Sequence, residues 1–331
     1  MGAVSAVAAG GGAPGAGRRV DYLRLSVTDR CNLRCVYCMP PGGVPPRRHE
    51  DILTYEELLA FAAVAVRCGV SKVRLTGGEP LVRRDLPDFV ARLARSTGLD
   101  DISLTTNGIL LPRFAADLRR AGLRRVNVSL DSLDPARYAR LTRGGSLDEA
   151  LAGLEAALSG GLAPVKVNTL LLEGVEEELD AFVALTRELP VHVRFIEFMP
   201  VDRRLAGPGA GRLVAAGDVL RLLAGRHRLT PHPGPYGHGP AQYWQADGAR
   251  GTLGFIAGVS DHFCGACNRL RLTADGHLRT CLFSGEEVDV RPLLAQPGRL
   301  RETILAAVAA KRFDRRRERL ANGRAMSEIG G

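Results

Sequence analysis

With 331 residues, 45% of them hydrophobic, and no apolar run long enough to cross a bilayer, the chain reads as globular, with one large or two modest cores and no membrane partner. A net charge of +9 favours an anionic partner, nucleic acid or a small polyphosphate, but 5% aromatic content with no aromatics among the basic runs speaks against a base-stacking surface. Seven cysteines, mostly clustered, exclude a disulfide scaffold and point to a metal or redox site.

Residues 1–17 are Gly/Ala-rich, lack periodicity and read as a flexible leader. A secretory signal is the rival reading; it lacks a basic start and glycines interrupt the apolar part, so the expected compartment is the cytoplasm. From residue 18, short runs rich in Val, Ile and Leu alternate with amphipathic stretches of helical length. The first run, YLRLSV, leads into VTDRCNLRCVYCMPP, which holds Cys31, Cys35 and Cys38. Thr54 and Glu57 form a capping box ahead of LLAFAAVAV, and Cys68 beyond it reads as a small buried hydrophobe. KVRLT then precedes TGGEP, DISLTT runs into TTNG, and RVNVSL runs into SLDS. A second capping box, Ser146 with Glu149, opens the helix before VKVNTLLL, and VHVRFIEFM closes the series.

Strand followed by helix, six times over, predicts parallel strands with right-handed crossovers and an α/β fold, a partial (β/α)6 TIM-like barrel over residues 18–214. An open doubly wound sheet is the runner-up, but no G-x-G-x-x-G opens a helix and no G-x-x-x-x-G-K-[ST] is present. In a barrel the chemistry belongs at the C-terminal ends of the strands, which is where the cysteines, TGGEP, TTNG, SLDS and EFMP fall. After about residue 200 the pattern breaks into glycine- and proline-rich loops, and residues 215–331 form a C-terminal α+β extension with the remaining clustered cysteines.

The spacing C-x3-C-x2-C gives three thiolates in one loop, too few to close a zinc tetrahedron. A 4Fe-4S cluster normally takes four cysteines, so three leave one iron open to chelate and reduce a cosubstrate such as S-adenosylmethionine. Gly77 and Gly78 of TGGEP, having no Cβ, let backbone approach a ligand closely, or form an ordinary turn. Cys264, Cys267 and Cys281, spaced C-x2-C-x13-C, again lack a fourth cysteine; either a second open-iron cluster or a zinc site borrowing His262 or His277 accounts for them. Between them, Arg269 and Arg271 alternate with Leu270 and Leu272, so a strand would aim both guanidiniums to one face for phosphate or purine contacts. Arg24, Arg74 and Lys166 also lie on strands, where the alternatives are a shared anionic site or solvated strand ends. KRFDRRRERL reads as a solvated helix face and the tail SEIGG as a frayed end.

C-x3-C-x2-C with GGEP resembles the radical S-adenosylmethionine superfamily, and YLRLSVTDRCNLRCVYCMP, VRLTGGEPLVRRDL, LTTNGILL, RVNVSLDSLDP and the terminal Gly-Gly together resemble the molybdenum cofactor biosynthesis protein A family of GTP 3',8-cyclases over residues 21–331. That resemblance implies two 4Fe-4S clusters, one on Cys31, Cys35 and Cys38 and one on Cys264, Cys267 and Cys281. It implies reductive cleavage of S-adenosylmethionine to a 5'-deoxyadenosyl radical, removal of the ribose 3' hydrogen of GTP, and cyclisation at C8 of guanine. By resemblance Tyr37, Gly78, Ser129 and Met199 match S-adenosylmethionine positions. Arg24, Arg74, Thr105, Lys166, Arg269 and Arg271 match GTP positions, Arg269 and Arg271 being also catalytic with the tail glycines Gly330 and Gly331. The implied partners are an external electron donor and cyclic pyranopterin monophosphate synthase, which takes the product, with no nucleic acid and a monomeric or homodimeric state. Glu176 and Glu177, where the family commonly has Asn-Asp, and the glycine-rich loop near residue 208 depart from the pattern. Two other readings stand beside it: a radical peptide-modifying maturase with an auxiliary cluster, and a non-catalytic zinc protein binding nucleic acid.

Overall fold

A computed structural model describes residues 19–45, 47–201, 213–235, 239–311 and 324–330. The leader, most of the glycine-rich loop, the basic run from residue 312 and Gly331 lie outside the described residues.

All six expected strands form: β1 Tyr22–Ser26, β2 Lys72–Thr76, β3 Asp101–Thr106, β4 Arg125–Ser129, β5 Val165–Leu171 and β6 Val191–Glu197. Each pairs in parallel with the next. The crossovers carry α1 Tyr55–Arg67, α2 Leu86–Thr97, α3 Leu111–Arg120, α4 Pro135–Thr142, α5 Leu147–Ser159 and α6 Leu179–Glu188. Thr54 and Glu57 make the full reciprocal cap on α1, whereas Ser146 caps α5 by accepting from the Glu149 amide at 3.3 Å. Alternation divides each strand between two environments. Leu23, Leu25, Val73, Leu75, Ile102, Leu104, Val126, Val128, Val193 and Phe195 are fully buried in the core between sheet and helices, and the residues between them turn the other way.

The C-terminal residues extend this sheet at both edges. They form α7 Ala216–Arg226, β7 Leu229–His232, β8 Gln242–Ala246, β9 Thr252–Ile256, β10 Arg269–Leu272, β11 His277–Arg279, β12 Val288–Asp289 and α8 Pro297–Ala309. β9 joins β6 in parallel and β10 joins β1 in parallel, so a run of parallel strands from β10 through β1–β6 to β9 curves around one interior. Antiparallel β8 and β7 finish one edge, β11 and β12 the other, and among the described residues the two edges do not pair, which leaves the barrel partial. Among the described residues no helix is long and apolar enough to cross a membrane.

Candidate active site

The side chains that turn away from the core line a cavity of about 680 Å³ inside the curve of the sheet. Tyr22 and Arg24 come from β1, Lys72 and Arg74 from β2, Thr105 from β3, Arg125 and Ser129 from β4, Lys166, Asn168 and Leu170 from β5, and Arg194 and Ile196 from β6. Arg269 and Arg271 enter from β10, while Leu270 and Leu272 are buried in the core. Register puts Arg24 level with Arg74 on one side and Arg271 on the other. The structure therefore gathers Arg24, Arg74, Thr105, Lys166, Arg269 and Arg271 around one space. It adds Tyr22, Lys72, Arg125, Asn168 and Arg194, which the sequence reading passed over although strand parity on RVNVSL and VHVRFIEF marks Arg125 and Arg194.

So many cations in one cavity repel each other. Burial pushes the Arg24 guanidinium well below its usual range, with Arg271 adding to the effect, and takes Arg74 and Arg271 down to about 10. Burial, then Arg194, Arg125 and Arg74, push the Lys166 ammonium down to about 6. Neutralisation from within the protein sits toward the N-terminal ends of the strands, where Asp101 pairs with Arg125 and Asp21 lies 3.4 Å from Lys72. The interior is built for a polyanion.

At the mouth, the cysteine loop after β1 is held by its neighbours. Arg34 and Val36 donate backbone hydrogen bonds to Thr142 and Leu141 at the end of α4, at 3.1 and 2.9 Å, and Arg143 reaches the carbonyls of Arg34 and Met39 at 2.9 and 2.8 Å. Gly78 and Glu79 donate to the carbonyls of Thr28 and Arg30, each at 2.8 Å. A Cβ on Gly78 would lie 2.3 Å from the Arg30 carbonyl oxygen. The close approach at Gly78 is thus to the cysteine loop itself, and Gly78 is not among the cavity lining. Buried Glu79 accepts from Thr106 Oγ1 and the Asn107 amide, both at 2.8 Å, and Asn107 donates to Asn32 at 2.7 Å, so GGEP and TTNG brace the same loop. Tyr37 lines the cavity with its hydroxyl donating to Asp131 at 2.5 Å, and Asp131 also accepts from the Leu170 amide at 2.9 Å. Ser129 and Met199 line the same end; Gly258 leaves room for Met199, whose sulfur would be 2.7 Å from a Cβ there.

Cys264, Cys267 and Cys281 also line the cavity, beside Phe263, whose ring lies under the Arg269 guanidinium at 4.8 Å. Residues 324–330 thread in beside them. Gly330 adopts φ +70°, and its carbonyl accepts from Arg24 Nε at 3.2 Å and Arg271 Nη1 at 3.0 Å. A Cβ there would lie 2.7 Å from Thr76 Oγ1, so glycine alone brings a backbone carbonyl to this depth.

All six thiols lie outside any disulfide and are half-buried. Burial pushes Cys31 up to about 11 and Cys38 up to about 12, values that a bound cation would reverse. At the second site burial raises Cys267, but Arg269 and Lys311 outweigh it and bring the thiol down to about 7. Sulfur donors suit iron–sulfur or zinc. Among the described residues no three His, Cys, Asp or Glu side chains gather around one point as a single ion requires, and His277 turns to Asp275 at 3.4 Å. Three sulfur donors with no fourth cysteine are the set that an open-iron cluster takes, whereas a tetrahedral zinc ion would need a further ligand.

A family model of the Radical SAM superfamily matches residues 25–185, and one of Molybdenum Cofactor Synthesis C matches residues 191–319. The GTP 3',8-cyclase of Heliobacterium modesticaldum is 48% identical over 327 residues, covering 95% of this chain and 98% of the relative. That of Pelotomaculum thermopropionicum is 49% identical over 320 residues with the same coverage. In fold, the chain resembles Streptococcus suis SuiB bound to S-adenosylmethionine, with TM-score 0.56 and 16% identity over 83% of this chain and 64% of that one. It also resembles methylornithine synthase, with TM-score 0.50 and 21% identity over 62% of this chain and 63% of that one.

Proposed function

This chain belongs to the GTP 3',8-cyclase family of the radical S-adenosylmethionine superfamily, and on that premise we propose how its residues share the work. The reaction is the radical cyclisation of GTP to (8S)-3',8-cyclo-7,8-dihydroguanosine 5'-triphosphate, a lyase reaction and the first step of molybdenum cofactor biosynthesis, and its cofactors are two 4Fe-4S clusters and S-adenosylmethionine. The bound cofactors supply one thing, reductive cleavage of S-adenosylmethionine to the radical that takes hydrogen from GTP.

Cys31, Cys35 and Cys38 hold the first cluster, with Gly78 setting the loop against β2. Tyr37, oriented by Asp131, works with Ser129 and Met199 to seat S-adenosylmethionine at the mouth. Cys264, Cys267 and Cys281 hold the second cluster on the facing wall. Arg24, Arg74, Thr105, Lys166, Arg269 and Arg271 receive GTP between them, the guanidiniums answering the triphosphate. Gly330 and Gly331 support the reaction from the tail. The observation that carries this assignment is the single cavity that Tyr37 of the first cysteine loop lines together with Cys264, Cys267, Cys281 and a cluster of buried cations.

Residues 18–214 form the S-adenosylmethionine barrel in this reading, and residues 215–331 supply the auxiliary cluster and substrate wall. The enzyme works in the cytoplasm as a monomer or homodimer, draws electrons from an external donor and passes its product to cyclic pyranopterin monophosphate synthase. An anaerobic assay of the cluster-loaded protein with S-adenosylmethionine, a reductant and GTP tests the assignment by mass spectrometry. A GTP isomer formed alongside 5'-deoxyadenosine is the expected result; cleavage without GTP conversion would redirect the site to another substrate, such as a peptide.

A further inference from the structure

Residues 324–330 form no strand, yet Ala325, Ser327, Ile329 and Gly330 are buried, and Met326–Glu328 make one tight helical turn. Ion pairs seat this segment. Arg324 directs Nη1 at both oxygens of Asp275, at 3.0 and 2.8 Å, and Nη2 at Glu287, at 2.7 Å. Asp275, buried in the turn between β10 and β11, also contacts Arg47 at 3.2 Å, and Arg47 reaches Glu328 at 3.5 Å. Glu287 pairs in turn with fully buried Arg279, and Glu328 accepts from the Ala325 amide at 2.8 Å. The Arg47 amide donates to Asp29 at 2.9 Å, two residues before Cys31. Three carboxylates and three guanidiniums thus alternate, joining the approach to the first cysteine loop, the strands flanking Cys281 and the tail.

Networks of this kind add little net stability, because desolvating the ions offsets their attraction, but removing one member leaves a buried charge unpaired. What such a network supplies is position. Here the position that matters is the Gly330 carbonyl, six residues beyond Arg324, on Arg24 and Arg271.

We infer that Asp275 and Arg324 are positioning residues that clamp residues 324–330 and thereby hold the Gly330 carbonyl against Arg24 and Arg271. The consequence for catalysis rests on the reading that these two arginines face GTP. With the clamp open, Arg24 and Arg271 lose a shared acceptor that fixes their aim, and S-adenosylmethionine cleavage runs ahead of GTP conversion.

Hydrogen exchange by mass spectrometry on the full, cluster-loaded chain tests the clamp directly, comparing wild type with Asp275→Asn and Arg324→Gln. Amide exchange in peptides covering residues 324–330 should quicken at least about tenfold in both variants, with β4 and β5 unchanged. The ratio of 5'-deoxyadenosine to cyclised GTP should rise by about as much. Arg324 lies in the tail and outside the sheet, so Arg324→Gln decides the matter even if Asp275→Asn fails to fold. Unchanged tail exchange would overturn the clamp; a loosened tail with a wild-type product ratio would overturn its link to catalysis. Failure of the wild type to cyclise GTP would instead defeat the substrate assignment, while the exchange data still decided the clamp.

Discussion

Lys166 shows most directly what the cavity does to its own residues. Burial and three neighbouring guanidiniums bring its ammonium down to about 6, so near neutral pH the substrate-free amine is largely uncharged. On the proposed assignment a triphosphate bound beside Lys166 raises its pKa again by adding negative charge. Binding therefore takes up a proton wherever the pH lies between about 6 and the higher pKa in the complex, and affinity falls as pH rises through that window. Calorimetry at pH 8 in buffers of different ionisation enthalpy should show uptake approaching one proton in wild type and a clear loss of it in Lys166→Met; equal uptake in both would remove Lys166 from the site. Arg269 poses the complementary case, since it lines the cavity over Phe263 and lowers Cys267. Arg269→Ala should cut kcat/KM for GTP by roughly 10- to 100-fold, the worth of a charged hydrogen bond of about 1.5–3 kcal/mol, while S-adenosylmethionine cleavage stays measurable. Turnover at the wild-type rate would show that the guanidinium does not touch substrate. Arg269 and Arg271 were legible because strand alternation sits between cysteines in NRLRL. Arg125 and Arg194 lie on equally plain strands, but no neighbouring motif marks their parity.

Individual elements hold different amounts of this information. The six parallel strands were legible because each is a short run rich in apolar residues, ended by a turn and followed by an amphipathic helix. β7 and β8 carry no such pattern: LTPH contains Pro231 and forms the edge of the sheet, and QYWQA, one strand in, mixes polar and aromatic residues. The capping box on α1 was legible and is fully formed, so Thr54→Ala should cost about 1 kcal/mol. A fall in the urea midpoint with an unchanged slope would register that cost, and an unchanged midpoint would mean tertiary packing alone holds the helix start. Gly78 was legible as a place of close approach but not for what approaches it. Its missing Cβ accommodates the Arg30 carbonyl, so Gly78→Ala should displace the cysteine loop and lower iron bound at the first cluster while helical content is kept. Full iron with weakened S-adenosylmethionine binding alone would instead support direct ligand contact at Gly78.

At the scale of the whole molecule, cluster binding and folding are separable. Sixteen per cent identity with SuiB still yields the same barrel, because that fold requires the alternation of apolar and inward-facing residues and not particular side chains. The main core runs through β1–β6, β9 and β10 and the helices outside them, and it includes none of the six clustered cysteines. Cys264, Cys267 and Cys281 line the cavity, and Cys281 touches a small apolar cluster with Val201, Phe283 and Ile329. A zinc finger has too little core to fold without its metal, whereas this sheet buries Leu, Val and Phe side chains completely on its helical side. Oxidative removal of iron should therefore abolish the visible absorption and the activity yet leave far-UV circular dichroism within about a tenth of the holoenzyme's and unfolding still cooperative. The local loss should fall on the cysteine loops and on residues 324–330, whose contacts with Cys38 and Cys281 depend on those loops keeping their course. Collapse of the helical signal on iron removal would mean that the clusters hold the barrel together, and that the buried apolar face is insufficient by itself.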